Sequence, residues 1–248
     1  MIKKMLRYLL RRSGWKISRI GPYLIFDFES FLYRYLLVHK KMLFVQIGAN
    51  DGIMNDPIYQ FNIANKDVVS GFVLEPLPDI FEKLVKNYKS CQNIKPINLA
   101  IHSTQSEAIL HRIKPERAAE LPTFAHGIAS FSGDHWKKTT IVPNPDFMEQ
   151  VKVKCISFSE FAKVNGIKKN LDLLIVDTEG YDYEILLSID FSIIKPRIIH
   201  FEHGVRNALM SSEQFMSISD HLNAHGYQII AESYDATAYL LDPKDTIF

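Results

Sequence analysis

The stretch from Phe44 to Gly52 constrains this chain more than any other. An apolar run breaks there into Gly48-Ala49-Asn50-Asp51-Gly52, and a second apolar run then stops at an acid, Glu75. Glycines let the backbone after a first strand come close to a ligand. A carboxylate ending the next strand accepts hydrogen bonds from both ribose hydroxyls, so the pair reads as a nucleotide site. A third apolar run ends similarly, at Val176-Asp177-Thr178-Glu179-Gly180. Three buried-strand patterns with such endings place those residues on one rim of a parallel sheet, where open α/β folds bind ligands. The expectation is an enzyme.

At 248 residues the chain can bury a full core as one large α/β domain, or as one domain plus a short appendage. No stretch approaches the roughly 20 apolar residues needed to span a bilayer. Cys91 and Cys155 have no CxxC or CxxH neighbours, which argues against a disulfide framework or a zinc site and for a reducing cytoplasm. Residues 1–41 hold ten Lys or Arg against Asp27 and Glu29, so the remainder of the chain is acidic. That basic end is interrupted by Lys3, Lys4, Arg7, Arg11 and Arg12, and so lacks the apolar core of a secretory signal. Met5, Leu6, Leu9 and Leu10 fall at helical spacing. The arginines would line one face of a helix that either rests on anionic lipid at the inner membrane face or forms the solvated side of a helix capping the sheet.

From Met42 onward, short β-rich apolar runs alternate with helical ones, as in βαβ units. Strands are expected at about 43–48, 70–75, 94–99, 171–177 and 197–202. Ile80, Phe81, Leu84 and Val85 make the stripe of a helix packed on a sheet. Ser157-Phe158-Ser159-Glu160 and Ser211-Ser212-Glu213-Gln214 have the form of helix-starting capping boxes. Tyr227 to Ala231 and Thr237 to Leu241 read as an antiparallel pair closing the sheet edge. His111 to Gln150 resists the scheme: four prolines, His111, His126 and His135, and no sustained periodicity suggest a long insertion. The apolar and aromatic content of Gly127 to Phe131, His135 and Trp136 favours a substrate lid. His126, His135 and Trp136 either stack on a sugar or lipid isoprenoid or pin the loop down.

With these residues in place, the sequence resembles the FkbM family of S-adenosylmethionine-dependent methyltransferases over about 43–230. The opening motif is similar to Val45 through Gly52, and the second strand ends in a Glu-Pro pair like Glu75-Pro76. Asn98-Leu99-Ala100, Asp177 to Gly180, and His200-Phe201-Glu202-His203 follow in the family's order. The resemblance implies a Rossmann-like class I methyltransferase: a mostly parallel seven-stranded sheet, ordered 3-2-1-4-5-7-6, with helices on both faces. Together with the basic segment and the aperiodic stretch, the expected layout is a basic helical appendage at 1–41 and an FkbM-like methyltransferase domain at 42–248 with its insertion at about 111–150. Bound S-adenosylmethionine would rest on Gly48, Asn50, Asp51 and Gly52. Glu75 would hold the ribose, Asn98 to Ala100 would line the adenine, and Asp177 would sit beside the sulfonium. Many class I enzymes carry an acid where this chain has Gln46, so the contact to the cofactor's amino group would come through another group.

A sulfonium methyl is already activated, so the protein's task is to align an acceptor oxygen and remove its proton. The rim supplies Asp177, Glu202 and His203 as catalytic candidates. Asp177, Glu179, Glu202 and His203 are also candidate ligands for magnesium or manganese, although such carboxylates also simply favour a helix N-terminus. The expected function is O-methylation of a hydroxyl on a sugar, glycan or secondary metabolite. The alternatives are an NAD-dependent Rossmann oxidoreductase, for which Gly48-x-x-x-Gly52 has the wrong spacing, and a non-catalytic binding protein of methyltransferase fold. No basic patch interleaved with aromatics suggests a nucleic-acid partner, and the sequence leaves the oligomeric state open.

Overall fold

The computed structural model describes residues 26–138 and 141–242. In chain order, α1 (Phe28–His39) leads to β1 (Met42–Ile47), α2 (Tyr59–Ala64) to β2 (Val69–Leu74), and α3 (Pro78–Tyr88) to β3 (Ile94–Ile97). Four strands follow without a long helix: β4 (Ala100–Ile101), β5 (Glu107–Ile113), β6 (Ala129–Ser130) and β7 (Met148–Ile156). The chain then continues through α4 (Phe158–Val164), β8 (Leu173–Val176), α5 (Asp182–Leu187), β9 (Ile198–Glu202), α6 (Ser212–Ala224), β10 (Tyr227–Ala231) and β11 (Asp235–Leu240).

Seven strands form the main sheet in the order β3-β2-β1-β8-β9-β11-β10. Renumbered within this sheet, that is the expected 3-2-1-4-5-7-6. β1 pairs in parallel with β2 and β8, and β11 is antiparallel to both β9 and β10. Side-chain alternation along the strands divides the core. Val45 and Ile47 face α4, α5 and α6, meeting Phe161, Leu186 and Leu222. Met42 and Phe44 face α1, α2 and α3, meeting Leu32, Phe61 and Leu84. Burial of both faces is why these strands read as nearly continuous apolar runs.

Local chemistry fixes the helix starts. Asp27 accepts from the Ser30 amide to begin α1, and Ser157 accepts from the Glu160 amide to begin α4. At Ser211 both halves of the capping box form with Gln214. The expected helix carrying Met5 to Leu10 lies outside the described residues. Residues 28–39 of the basic segment form α1, whose Leu32, Tyr35 and Leu36 are buried against the sheet.

The 111–150 stretch differs from a featureless loop. β5 and β7 pair antiparallel from Glu107 opposite Lys154 to Ile113 opposite Met148. With β4 and β6 they make a second sheet in the order β4-β7-β5-β6. Arg112 is buried and clamps this sheet to the start of α3, its Nη2 donating to Asp79 Oδ2 at 3.0 Å.

His200, in the middle of β9, stacks on Phe28 with ring centroids 3.9 Å apart and meets Thr237 Oγ1 at 2.9 Å. Burial depresses its pKa to about 4, below the ordinary 6.5. The unfolded chain therefore takes up a proton near pH 6.5 that the folded chain refuses until about pH 4. The His200 contribution is complete above pH 6.5 and lost as the pH falls through that window, by about 3 kcal/mol in all. Denaturant unfolding of the wild type and His200→Asn from pH 7 to 4 checks this. The wild-type curve is expected to fall relative to that of the variant across the window, and parallel curves would refute the assignment.

Candidate active site

The loop after β1 is built on backbone conformations that side chains disfavour. Gly48 has φ +81°, Asn50 +49° and Gly52 +77°. Gly48 passes so close to β8 that an added Cβ would lie 1.7 Å from the Asp177 carbonyl oxygen. The amides of Gly48 and Ala49 both bond the Leu74 carbonyl at the end of β2. Glu75 follows directly, its Oε2 accepting from the Asn50 amide at 3.1 Å and its Oε1 from the Leu77 amide at 2.9 Å. Each oxygen keeps a lone pair for a ligand hydroxyl. Burial pushes the Glu75 pKa up to about 7, against the pull of those two amides and the Arg112 charge.

These elements enclose a cavity of about 400 Å³ at the C-terminal rim of the parallel strands. Its end near β3 and β4 is apolar, formed by Leu77, Ile80, Leu99, Ala100, Ile101 and Leu110. Glu75 follows at β2, then Gln46 and Asp56 beside β1, Asp177 and Glu179 after β8, Glu202 at the end of β9, and Asp235 at the start of β11. Gly127, Ala129 and Phe131 from the insertion complete the lining. An added Cβ on Gly127 would stand 2.3 Å from Asn50 Nδ2, so the insertion rests directly on the glycine loop.

The acidic end is poor in compensating charge, since no Lys or Arg is among the described residues that line it. Asp177 is pushed well above its ordinary pKa, first by burial and then by the charges of Glu179, Asp182, Asp235 and Asp56. Burial and then Asp177, Glu179, Asp182 and Asp235 raise Glu202 to about 10, and its buried Oε2 has no hydrogen-bond partner. Such a site favours a ligand that carries positive charge.

The sequence-derived candidates divide. Gly48, Asn50, Glu75, Ala100, Asp177, Glu179 and Glu202 line the cavity. Asp51, Gly52, Asn98 and His203 do not. Asp51 Oδ1 accepts from the Ile53 and Met54 amides, each at 2.8 Å, which holds the turn. Gly52 packs against α3, where an added Cβ would meet Tyr88 and Leu84. Asn98 donates to the Glu75 and Pro76 carbonyls at 2.9 Å and so supports the loop from behind. His203 Nδ1 accepts from the Val205 amide, its Nε2 donates to the Glu232 carbonyl at 3.2 Å, and its ring packs on Phe215.

With both His203 nitrogens committed to backbone, Asp177, Glu179, Glu202 and His203 do not form a ligand set. Among the described residues no group of three or more His, Cys, Asp or Glu is arranged to hold a metal ion. The expectation of magnesium or manganese at these four residues has no support in this geometry.

Two side chains that shape the site, Asp182 and Ser130, escaped the sequence reading, and a third, His135, was expected only as a loop aromatic. Asp182 is buried, accepting from the Thr178 amide and hydroxyl through Oδ2 and from the Glu202 amide through Oδ1, and so locks the ends of β8 and β9 together. Ser130 donates to the Glu179 carbonyl at 2.9 Å, fastening the insertion over the rim. His135 is buried with Nε2 3.6 Å from Glu179 Oε2. Trp136 packs instead among Ile113, Ala125 and Phe147 in the insertion's own small core.

A dinucleotide is poorly served here. A pyrophosphate needs open amides at a helix start, but those of Ile58 and Tyr59 are taken by Asp56, and those of Ile53 and Met54 by Asp51.

Sheet order, glycine loop, ribose-type glutamate and acid-lined rim together define a class I methyltransferase-like α/β protein. The chain belongs to the FkbM methyltransferase family, whose domain, described as "Methyltransferase FkbM domain", matches residues 46–229. Solved structures similar to it include the METTL16 methyltransferase domain, at 12% identity and TM-score 0.45, covering 97% of this chain and 80% of that one. The fibrillarin pre-rRNA processing protein of Methanococcus jannaschii is similar at 16% identity and TM-score 0.44, covering 91% and 82%. The human methyltransferase 10 domain containing protein is similar at 11% identity and TM-score 0.42, covering 96% of each chain. No curated protein sequence matches the chain.

S-adenosylmethionine is the usual cofactor of this fold, and the residues present fit it. The apolar end suits an adenine, Glu75 a ribose, and the uncompensated acids a methionine part whose sulfonium and ammonium outweigh its one carboxylate.

Proposed function

We propose that this protein catalyses S-adenosylmethionine-dependent O-methylation of a hydroxyl on a sugar, glycan or secondary metabolite. The observation that carries the reading is Glu202, which lines the cavity at the end of β9, and whose buried Oε2 has no hydrogen-bond partner. Bound in the cavity, the cofactor supplies an electrophilic methyl group and a positive charge. An acceptor hydroxyl must lose its proton to become a nucleophile near neutral pH. Glu202 Oε2 is the acceptor for that proton. Its pKa, held near 10 by burial and by the surrounding acids, falls when a cation enters the cluster, leaving the carboxylate ionised and basic. Asp177 reinforces the same field. The Glu179 carbonyl is held from above by Ser130, and Glu179 forms the side of the cavity under the insertion, where an acceptor would be oriented.

The reading places the enzyme in the cytoplasm, its acceptor delivered as a free small molecule or a glycan, with the basic segment within residues 1–41 touching the inner membrane face. Cys91 and Cys155 are both free and buried, and among the described residues no helix is long and apolar enough to cross a membrane.

The test is transfer of an isotopically labelled methyl group from S-adenosylmethionine to a panel of glycans and metabolites, with the products hydrolysed and resolved. Label recovered in O-methyl ethers is the expected result. Label recovered on nitrogen or carbon would replace the acceptor class. Binding of S-adenosylhomocysteine without transfer to any acceptor would favour a binding protein.

A further inference from the structure

At the β9–β11 end of the cavity two carboxylates face each other with nothing between them. Asp235 opens β11 and is the direct partner of Glu202 in the antiparallel pairing of β11 with β9. Residues so paired present their side chains to one face, and both of these line the cavity. Like charges directly opposite destabilise a sheet, yet no counter-charge is built in. Among the described residues neither carboxylate accepts a hydrogen bond or forms an ion pair, and Glu202 Oε2 is buried. Glu179 has the His135 imidazole 3.6 Å away, whereas His203 beside Glu202 spends both nitrogens on backbone groups. The turn that carries Asp235 is fixed. The Tyr234 carbonyl accepts from the His203 and Gly204 amides at 2.8 and 2.9 Å, and the Glu232 amide donates to the Asp235 carbonyl at 2.8 Å. Tyr234, 44% exposed, brings an aromatic ring to the same end of the cavity.

We infer that Glu202 and Asp235 together clasp an ammonium group on the methyl acceptor, which is therefore an amino alcohol, such as a 2-amino sugar, with its amine beside the hydroxyl to be methylated. The inference rests on the function proposed above. The cofactor's sulfonium is read beside Asp177, after β8, and β11 lies two strands further along the sheet, roughly 10 Å at the usual strand spacing. The missing cation must therefore come with the acceptor. An ammonium carries three donors and a charge, enough to bond both carboxylates at once, and Tyr234 adds a ring for it to rest on. A metal ion is the weaker match, because no third ligand among the described residues joins the pair. Glu202 meets the ammonium with Oε1 and the hydroxyl with Oε2, which sets the two groups on adjacent carbons. In the transfer a lone pair of the hydroxyl oxygen forms the new bond to the methyl carbon. The methyl–sulfur bonding pair stays on sulfur, leaving S-adenosylhomocysteine, and the hydroxyl proton passes to Glu202 Oε2. The ammonium has no lone pair, so the clasp also keeps the amine from taking the methyl group.

The test is binding, read apart from turnover. With the protein saturated with S-adenosylhomocysteine near pH 6.5, titration calorimetry would compare the methyl glycosides of glucosamine, galactosamine and mannosamine with those of glucose, galactose and mannose. Each pair differs only in an amine replaced by a hydroxyl. Wild type, Asp235→Asn and Glu202→Gln would each be titrated. Both variants keep the size of the side chain and remove one of two facing like charges, so neither should melt below the wild type.

The wild type is expected to bind at least one amino glycoside roughly 10- to 100-fold more tightly than its hydroxyl counterpart, and both variants to narrow that preference to less than about threefold. The affinity of Asp235→Asn for S-adenosylhomocysteine is expected to match that of the wild type. Equal binding of amine and hydroxyl forms, binding of none of the sugars, or a preference that survives in the variants would overturn the inference. Loss of S-adenosylhomocysteine binding in Asp235→Asn would assign that carboxylate to the cofactor and overturn it too. O-methyl label found on neutral acceptors would then leave the function proposed above standing. Failure of S-adenosylhomocysteine to bind the wild type would defeat the cofactor reading, and this inference with it. Should Asp235→Asn fail to melt cooperatively, Glu202→Gln decides.

Discussion

Glu202→Gln is expected to raise the melting temperature of the ligand-free protein by roughly 4–8 °C at pH 8 while lowering methyl transfer about 10²- to 10⁴-fold. The two effects have one origin. Glu202 is surrounded by acids and largely withdrawn from water, which lifts its pKa from 4.5 to about 10. A carboxyl group with a raised folded-state pKa makes its full contribution below about pH 4.5, and that contribution drains away as the pH rises toward 10. Over that range the folded chain must hold a proton that the unfolded chain releases. Glutamine needs no such proton, so the variant gains stability at pH 8; the stated rise corresponds to about 2 kcal/mol in a chain of this size, a part of the roughly 5 kcal/mol that a carboxyl held near 10 forfeits between pH 4.5 and 8, because Asp177 and the other acids stay crowded in the variant. The same glutamine cannot take a proton from an acceptor. Thermal melts at pH 5 and pH 8 beside a transfer assay decide the matter. The gain should shrink toward pH 5, and a variant that transfers methyl normally would remove Glu202 from the role of base.

Gly48→Ala is the second large effect, with an expected loss of about 3–5 kcal/mol of stability and of all cofactor binding. The added methyl would stand 1.7 Å from the Asp177 carbonyl oxygen, and the position has φ +81°. Backbone on both sides leaves no flexible side chain to yield, so β1 and β8 must part at the rim that carries the site. Gly166→Ala separates the two causes. Gly166 has φ +67° and nothing within 4 Å of its added Cβ, so it should cost only the left-handed penalty of about 1–2 kcal/mol. Urea unfolding of both variants gives the comparison, and equal losses would show that the close approach to Asp177 is relaxed elsewhere.

The main sheet was legible because strands buried on both faces write themselves as apolar runs, and because glycine and acid endings mark the rim. The second sheet was not. In β7 the signal was present as Val151, Val153 and Cys155 alternating with Lys152 and Lys154, the two-residue period of a half-buried strand. Its partner β5 obscured it, because Arg112 occupies a core-facing position with its charge satisfied by Asp79 on α3, a contact no local pattern announces. The site was legible where backbone chemistry demanded glycine, at Gly48, and where a strand ended in a carboxylate, at Glu75, Asp177 and Glu202. His203 follows Glu202 directly in sequence, yet the chain turns it toward the Glu232 carbonyl, a direction that strand-end placement alone does not give. Asp56 was not legible because its contact with Gln46, ten residues earlier on β1, forms only once the chain has folded back, with Gln46 Nε2 donating to Asp56 Oδ2 at 2.8 Å.

The pairing of Ile113 with Met148 closes the β5–β7 ladder, so the stretch that roofs the cavity leaves and rejoins the fold at adjacent points. A segment whose ends are neighbours can be exchanged without cutting the scaffold that holds it. On the function proposed above, cofactor chemistry belongs to the large sheet and the choice of acceptor to this removable cassette, and transplanting residues 114–147 between members of the family is expected to redirect where the methyl group goes.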